Sequence, residues 1–372
     1  MNARRTLRVA LDATPLSLHT GGIRRYLVEL VQALAQMFPE DEYHLLSDRP
    51  GGLGPVEWTG LSNVQIHQPH LNRATKRWWS VGLPLELLRR QIDVFHGVDF
   101  SIPYLPRQPS VLTLHDLSPW QITSVQSVGS SRIRRRTPFL TNMATRFITP
   151  SDAIRCEVAG FFSVPKSRIF TTHLAPSTSL SIATLDNTED TDGHKFQVKA
   201  PYLLYVGSTE PRKNLTRLIK AWRIARTEIA DLSLVLVGTG HTCEREIFQE
   251  RGLHLPGYLS DKEIAHLLSR ASAFVYPSLY EGFGLPVLEA MQAAVPVITS
   301  SDAAITEVTA GAALQVDAKS QDQLGAAILR VIRDPHLRLQ LQNNGRQRAQ
   351  QFSWRSTAIL TRAVYVDAIR SF

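Results

Sequence analysis

Short apolar runs alternate with stretches of helical periodicity along most of this chain, which restricts it to βα units stacked into parallel sheets. Its 372 residues exceed what one hydrophobic core usually serves, so two such domains are expected. In the first half, Leu7–Leu11 reads as a strand, and Ile23, Leu27, Leu30, Val31 and Leu34 then repeat at helical spacing. Tyr43–Leu46, Val94–His96, Val111–Leu114 and Phe147–Thr149 read as further strands.

The rhythm breaks at residues 181–200, a polar and acidic segment that reads as a linker. It resumes with a strand at Tyr202–Val206 and a helix whose Leu215, Leu218, Ile219 and Trp222 share one face. Strands at Leu234–Val237, Ala273–Tyr276 and Val295–Ile298 follow, and the last 50 or so residues read as mostly helical. The expected class is α/β, two Rossmann-like domains over residues 1–180 and 201–354 whose parallel sheets face a central cleft. A C-terminal helix at about 355–372 is expected to pack back on the first domain.

Charge is uneven. Through Leu180 there are 20 Lys/Arg against 13 Asp/Glu, whereas the remainder has 21 against 20. Arg132, Arg134, Arg135 and Arg136 cluster, as do Arg73, Lys76 and Arg77 beside Trp78 and Trp79. One reading is a peripheral contact with an anionic membrane, and the other is a solvated basic face. A nucleic-acid partner is not expected. Cys156 and Cys243 have no metal or redox spacing, which suits a reducing compartment. No apolar stretch approaches a bilayer span, and Asp12 interrupts the only apolar run near the N-terminus, so a cytoplasmic location is expected.

In parallel sheets, ligands bind beyond the carboxyl ends of the strands, and three loops fall there. His19-Thr20-Gly21-Gly22 precedes the first helix and lets backbone amides approach an anion. Val206-Gly207-Ser208-Thr209-Glu210-Pro211-Arg212-Lys213-Asn214 places two cations after a strand, where they can neutralise a departing diphosphate. Tyr276-Pro277-Ser278-Leu279-Tyr280-Glu281-Gly282-Phe283-Gly284-Leu285-Pro286 leads into a helix. Glu289, read as lying in its first turn, and Glu281 suit hydroxyl groups better than phosphate. Two weaker patterns carry no assignment. Asp190-Thr191-Asp192 lies in the linker with no strand before it, and Gly238-Thr239-Gly240 lacks the third glycine of a dinucleotide loop.

The sequence EGFGLPVLE, with its Y-P-S approach, resembles the signature of glycosyltransferase family 4, retaining enzymes with the GT-B fold. G-S-T-E-P-R-K-N, T-G-G-I-R-R-Y and the T-L-H-D-L of Thr113–Leu117 resemble the same family, so the match runs through nearly the whole chain. The resemblance implies a nucleotide-sugar donor held by the C-terminal domain and a glycan or polyprenyl-linked acceptor presented by the N-terminal one. Lys213 matches the phosphate-binding lysine. Ser208 stands where many members have an arginine, and Arg212 is expected to take over that contact. Glu281 would meet the donor sugar and Glu289 the ribose, with Gly282 and the amides of Phe283, Gly284 and Leu285 on sugar and phosphates. Gly22 would approach the diphosphate, Gly257 and Tyr258 would border the base, and His115 would contact the sugar near its reacting carbon.

No enzymic nucleophile is evident, which suits the family's front-face substitution, in which a phosphate oxygen accepts the proton of the incoming hydroxyl. No metal and no cofactor are expected, with Arg212 and Lys213 in the metal's place. The H-D pair and the E-P-R-K-N loop resemble bacterial members transferring mannose from GDP-mannose in surface polysaccharide assembly. UDP-glucose and other hexose donors stay open, as do a sugar-nucleotide epimerase on the same fold and a non-enzymatic basic binder of membrane or nucleic acid.

Overall fold

The computed structural model describes residues 6–17, 21–49, 58, 60–67, 77–105, 107–121, 140–180, 196–238 and 250–372. His19, Thr20, Arg73, Lys76, the Arg132–Arg136 cluster, Asp190 to Asp192 and Cys243 lie outside them. The chain divides into two compact units, Met1–Leu174 with Ser353–Phe372, and Ala175–Phe352.

The first unit carries a seven-stranded sheet: β1 (Arg8–Asp12), β2 (Glu42–Leu46), β3 (Val64–His67), β4 (Val94–Gly97), β5 (Ser110–Thr113), β6 (Arg146–Thr149) and β7 (Ile169–Thr171). Its order is β3-β2-β1-β4-β5-β6-β7, with every pairing parallel. The second carries β8 (Tyr202–Val206), β9 (Ser233–Val237), β10 (Leu253–Gly257), β11 (Ala273–Tyr276), β12 (Val297–Ser300) and β13 (Leu314–Val316). Its order, β10-β9-β8-β11-β12-β13, repeats the same winding in parallel register. This is the doubly wound arrangement of an α/β protein, built twice.

The strands of the sheet interiors are buried almost throughout, as helices on both faces require. The four strands with no clear sequence signature are β3, β7, β10 and β13, and these are the four sheet edges. Their side chains are mostly half-buried or exposed, so no continuous apolar run marks them. Pro256 also lies in β10, tolerated because an edge strand need not donate on both sides. The strand expected at Val295–Ile298 starts two residues later, because the Val295 amide still donates to Ala290 O at a helix end.

The helices of the first unit include α1 (Gly22–Met37), α2 (Leu83–Arg89) and α3 (Asp152–Phe162). In the second lie α4 (Leu215–Arg226), α5 (Asp261–Arg270), α6 (Leu285–Gln292), α7 (Ala303–Thr309), α8 (Gln321–Arg333) and α9 (Pro335–Ala349). Leu215, Leu218, Ile219 and Trp222 are all buried, so the periodicity located the core face of α4. The last helix, α10 (Trp354–Arg370), belongs to the first unit and packs against α1. Arg362 pairs there with the fully buried Asp41 at 2.6 Å, and Arg146 with Asp367 at 2.5 Å. Among the described residues, no helix is long and apolar enough to cross a membrane.

Candidate active site

In the second unit β8 lies beside β11, with Leu203 opposite Ala273 and Leu204 opposite Phe274, so the loops leaving these strands are neighbours. Pro211–Lys213 forms one tight turn, after which Asn214 reverses the chain at φ 63°, a left-handed conformation that asparagine tolerates well. Its amide donates to Pro277 O at 3.0 Å and Ala318 O at 2.7 Å, and Leu279 N–H donates to Arg212 O at 2.7 Å. The two loops are therefore stitched by the Asn214 side-chain amide and by a backbone bond before any charged group acts.

Across that seam Lys213 Nζ donates to Glu281 Oε1 at 2.6 Å and to Tyr276 Oη at 2.8 Å. Arg212 Nη1 reaches Glu281 Oε2 and Tyr280 O, each at 3.1 Å, while its Nε meets Glu210 Oε2 at 2.7 Å. Ser208 Oγ donates to the other oxygen of Glu210 at 2.9 Å. Lys213 and Glu281 are each 6% exposed. Burial alone would raise the carboxyl of Glu281, but Lys213 and then Arg212 outweigh it and hold it below its ordinary range.

The two cations expected to meet a diphosphate are thus paired within the protein itself. Arg212 and Lys213 are already matched by Glu281 and Glu210, which is what permits an ammonium to sit in a nearly dry interior. An ammonium has three donors, and the third of Lys213 has no partner among the described residues.

The loop of Gly282, Phe283 and Gly284 leads directly into α6. Gly284 holds φ 98°, and a Cβ there would come within 2.4 Å of Ile305 Cδ1, so glycine is required. As N-cap it offers no side chain to the first amides of α6, which begins at Leu285. Glu289 is consequently in the second turn, not the first, and is buried. A capping role at the helix terminus is thereby removed for it.

Gly257 ends β10 rather than lying in a loop. Gly238 N–H donates to Gly257 O at 2.9 Å, and a Cβ on Gly238 would lie 1.8 Å from Gly207 O. The ends of β10, β9 and β8 are thus laced together, so Gly257 is linked to the Ser208 loop across one intervening strand. Tyr258, just beyond, is 60% exposed.

His115 and Gly22 belong to the first unit. His115 lies two residues beyond β5 and donates from Nε2 to Val98 O at 2.9 Å, which leaves Nδ1 as the acceptor of the neutral ring. Burial lowers its proton affinity despite the nearby carboxylates of Asp99 and Asp116. Burial likewise raises Asp99, and it pushes Asp12, at the end of β1, up to about 7 against hydrogen bonds involving Thr14. Gly21 has φ 124°, and Gly22, the first residue of α1, stands where an added Cβ would touch nothing within 4 Å.

The sequence alone assigns no role to Tyr276, Glu210 or Asp302. Asp302 caps α7 through the amides of Ala304 and Ile305, and its second oxygen faces the Glu281 amide at 3.4 Å. Its S-S-D-A-A approach is a recognisable helix start, but the link to Glu281 is visible only in three dimensions.

A family described as "Glycosyltransferase Family 4" matches residues 20–175, and one described as "Glycosyl transferases group 1" matches residues 186–348. The chain is 30% identical to the O-antigen chain mannosyltransferase B of Escherichia coli, over 96% of this chain and 99% of that one. The MMP alpha-(1->4)-mannosyltransferase of Mycolicibacterium hassiacum is 36% identical over 43% of this chain and 41% of its own. Among solved structures, the sucrose-phosphate synthase of Thermosynechococcus elongatus superposes with a TM-score of 0.73 at 20% identity, covering 98% of this chain and all (100%) of that one. The lipopolysaccharide glycosyltransferase WaaG gives 0.69 at 16% identity over 97% of this chain and 99% of that one. Those two likenesses bear on the fold, and they match this chain to GT-B glycosyltransferase structures.

Proposed function

Because this chain belongs to the glycosyltransferases, carrying a family 4 module followed by a group 1 module, we propose that it transfers mannose from GDP-mannose to a glycan or lipid-linked glycan in cell-surface polysaccharide synthesis. The observation that carries this reading is end-to-end similarity to an O-antigen chain mannosyltransferase. Support at the residue level comes from Lys213, Arg212 and Glu281 meeting at the ligand end of β8 and β11.

On this reading the diphosphate takes the third donor of Lys213 and competes with Glu210 for Arg212. Glu281, fixed as an anion by its two cations, accepts hydrogen bonds from sugar hydroxyls and keeps its place when phosphate arrives. The amides of Gly284 and Leu285 face the phosphates, Glu289 the ribose, and Gly257 and Tyr258 the base. In the first unit, neutral His115 offers Nδ1 to a sugar hydroxyl, and Gly22 leaves room for the diphosphate. The acceptor hydroxyl enters on the face the diphosphate leaves, so the anomeric configuration is retained, and fixed cations stand in for a divalent metal. The protein would work in the cytoplasm, touching the membrane only peripherally.

The deciding experiment is calorimetric binding of GDP-mannose, UDP-glucose and an ADP-sugar, with and without chelator, followed by acceptor-dependent nucleotide release. GDP-mannose binding that survives chelator and an α-linked product by NMR are expected. Preference for UDP-glucose would replace the donor, and dependence on added metal would overturn the metal-free mechanism.

A further inference from the structure

His96 is a fully buried histidine with no part in the transfer proposed above. Its Nδ1 lies 2.7 Å from Tyr365 Oη, and its Nε2 lies 2.7 Å from Thr113 Oγ1. Thr113 Oγ1 in turn is 3.3 Å from Tyr26 Oη. All four side chains are at most 1% exposed. The imidazole is kept neutral, its proton affinity pushed down to about 3 by burial and then by His115, so one ring nitrogen donates and the other accepts. The line does not end at Tyr26. The edge of its ring meets His115 at 4.8 Å between centroids and 82° between planes. Tyr26 also stands one turn after Gly22 on α1.

We propose that Tyr365, His96 and Thr113 are positioning residues: a buried polar relay through which α10 holds Tyr26 against His115 and so sets the imidazole that faces the sugar. Each link is a buried polar group whose lost hydration is compensated only by its neighbour, so the links of the relay are coupled. Among the described residues His115 makes one hydrogen bond, to Val98 O, and that bond alone permits rotation about its own axis. The Tyr26 ring supplies the second constraint. Trp354, at the other end of α10, touches Tyr26 as well, with ring centroids 6.3 Å apart. The last helix thus meets Tyr26 both directly and through the relay.

The test uses the full chain with 15N-labelled histidine, the His115 resonances being assigned with a His115→Gln variant. Tyr365→Phe removes one hydroxyl from the far end, and Thr113→Val cuts the middle, while Thr113→Ser keeps the hydroxyl. In Tyr365→Phe and Thr113→Val the His115 Nδ1 and Nε2 resonances should shift, whereas Thr113→Ser should retain the wild-type positions. Because the kinetic readout rests on the function proposed above, it is taken separately: kcat should fall roughly tenfold or more, as misplacement of a contacting group does, with KM for the donor unchanged. Should Tyr365→Phe not fold, Thr113→Val against Thr113→Ser decides alone. Unmoved His115 resonances in a folded Tyr365→Phe or Thr113→Val, with only a lower Tm, would make the relay structural and overturn the proposal. Shifted resonances in a protein that transfers no sugar would keep the relay and remove the function.

Discussion

The two units share one winding but equip the ends of their strands in opposite ways. At β8 and β11 the groups are ions that neutralise one another: Arg212 and Lys213 against Glu210 and Glu281. At β1, β4 and β5 the groups are His115, Asp99 and Asp12, whose burial favours uncharged forms. The difference is one of compensation. A buried carboxyl with cations in contact keeps its charge, whereas one without them drifts toward protonation. The first arrangement can exchange partners with a charged ligand, and the second is suited to hydrogen bonds with neutral hydroxyls.

The comparison breaks most severely at Lys213. Lys213→Met leaves Glu281 buried with Arg212 alone, and steady-state assays should show kcat down by about 10² to 10³. A variant within threefold of wild type would remove Lys213 from the transfer. Next comes Asp12→Asn in the first unit. The folded value of Asp12 stands above its unfolded one, so the native state binds the extra proton, and the stability this provides fades as pH rises from about 4 through about 7. Glu281 has the opposite sign, its contribution being complete above the unfolded value and lost as pH falls through the depressed folded one. Denaturant titrations from pH 4 to 8 should show wild type losing about 2–4 kcal/mol relative to Asp12→Asn. Parallel curves would mean that Asp12 is ionised throughout.

A smaller effect sharpens the contrast. Glu281→Gln releases Lys213 and Arg212 from their common carboxylate, so GDP alone should bind several-fold tighter by calorimetry, about 1 kcal/mol, while transfer falls. Weaker GDP binding would show that Glu281 holds the cations in place for phosphate. Least of all, Tyr258→Ala should change the unfolding free energy in a denaturant titration by no more than its exposed position allows, about 0.5 kcal/mol, and reduce only discrimination among nucleotide bases.

How much of this was legible beforehand depended on locality. Strands with neighbours on both sides announce themselves as apolar runs, which is why β8 and β11 were found within a residue of their ends. Edge strands such as Leu314–Val316 have no such run and stayed hidden. Candidate site residues could be named because the G-S-T-E-P-R-K-N and E-G-F-G-L-P motifs are contiguous. Their pairing could not, since the separation of 68 positions between Lys213 and Glu281 is closed only by the β8–β11 neighbourhood. The relay from His96 to Tyr365 spans 269 residues and has no signal in sequence at all. Glu289 falls one residue farther from the helix start than Pro286 suggests, and so into the second turn, because the helix begins at Leu285 directly after a glycine that cannot cap it.

The return of α10 to the first unit has a consequence for the growing chain. Asp41 and His96 leave the ribosome early, yet their partners Arg362 and Tyr365 are made only after the entire second unit. At cellular elongation rates, the interval between residues 174 and 370 lasts roughly 10 to 40 s. For that time the half synthesised first must wait with Asp41 lacking Arg362 and His96 lacking Tyr365, held by their bonds to Leu7 N–H and Thr113. The order of translation thus runs against the order of completion: the second unit can close before the first, and chaperone contact during synthesis should concentrate on the uncovered flank of α1.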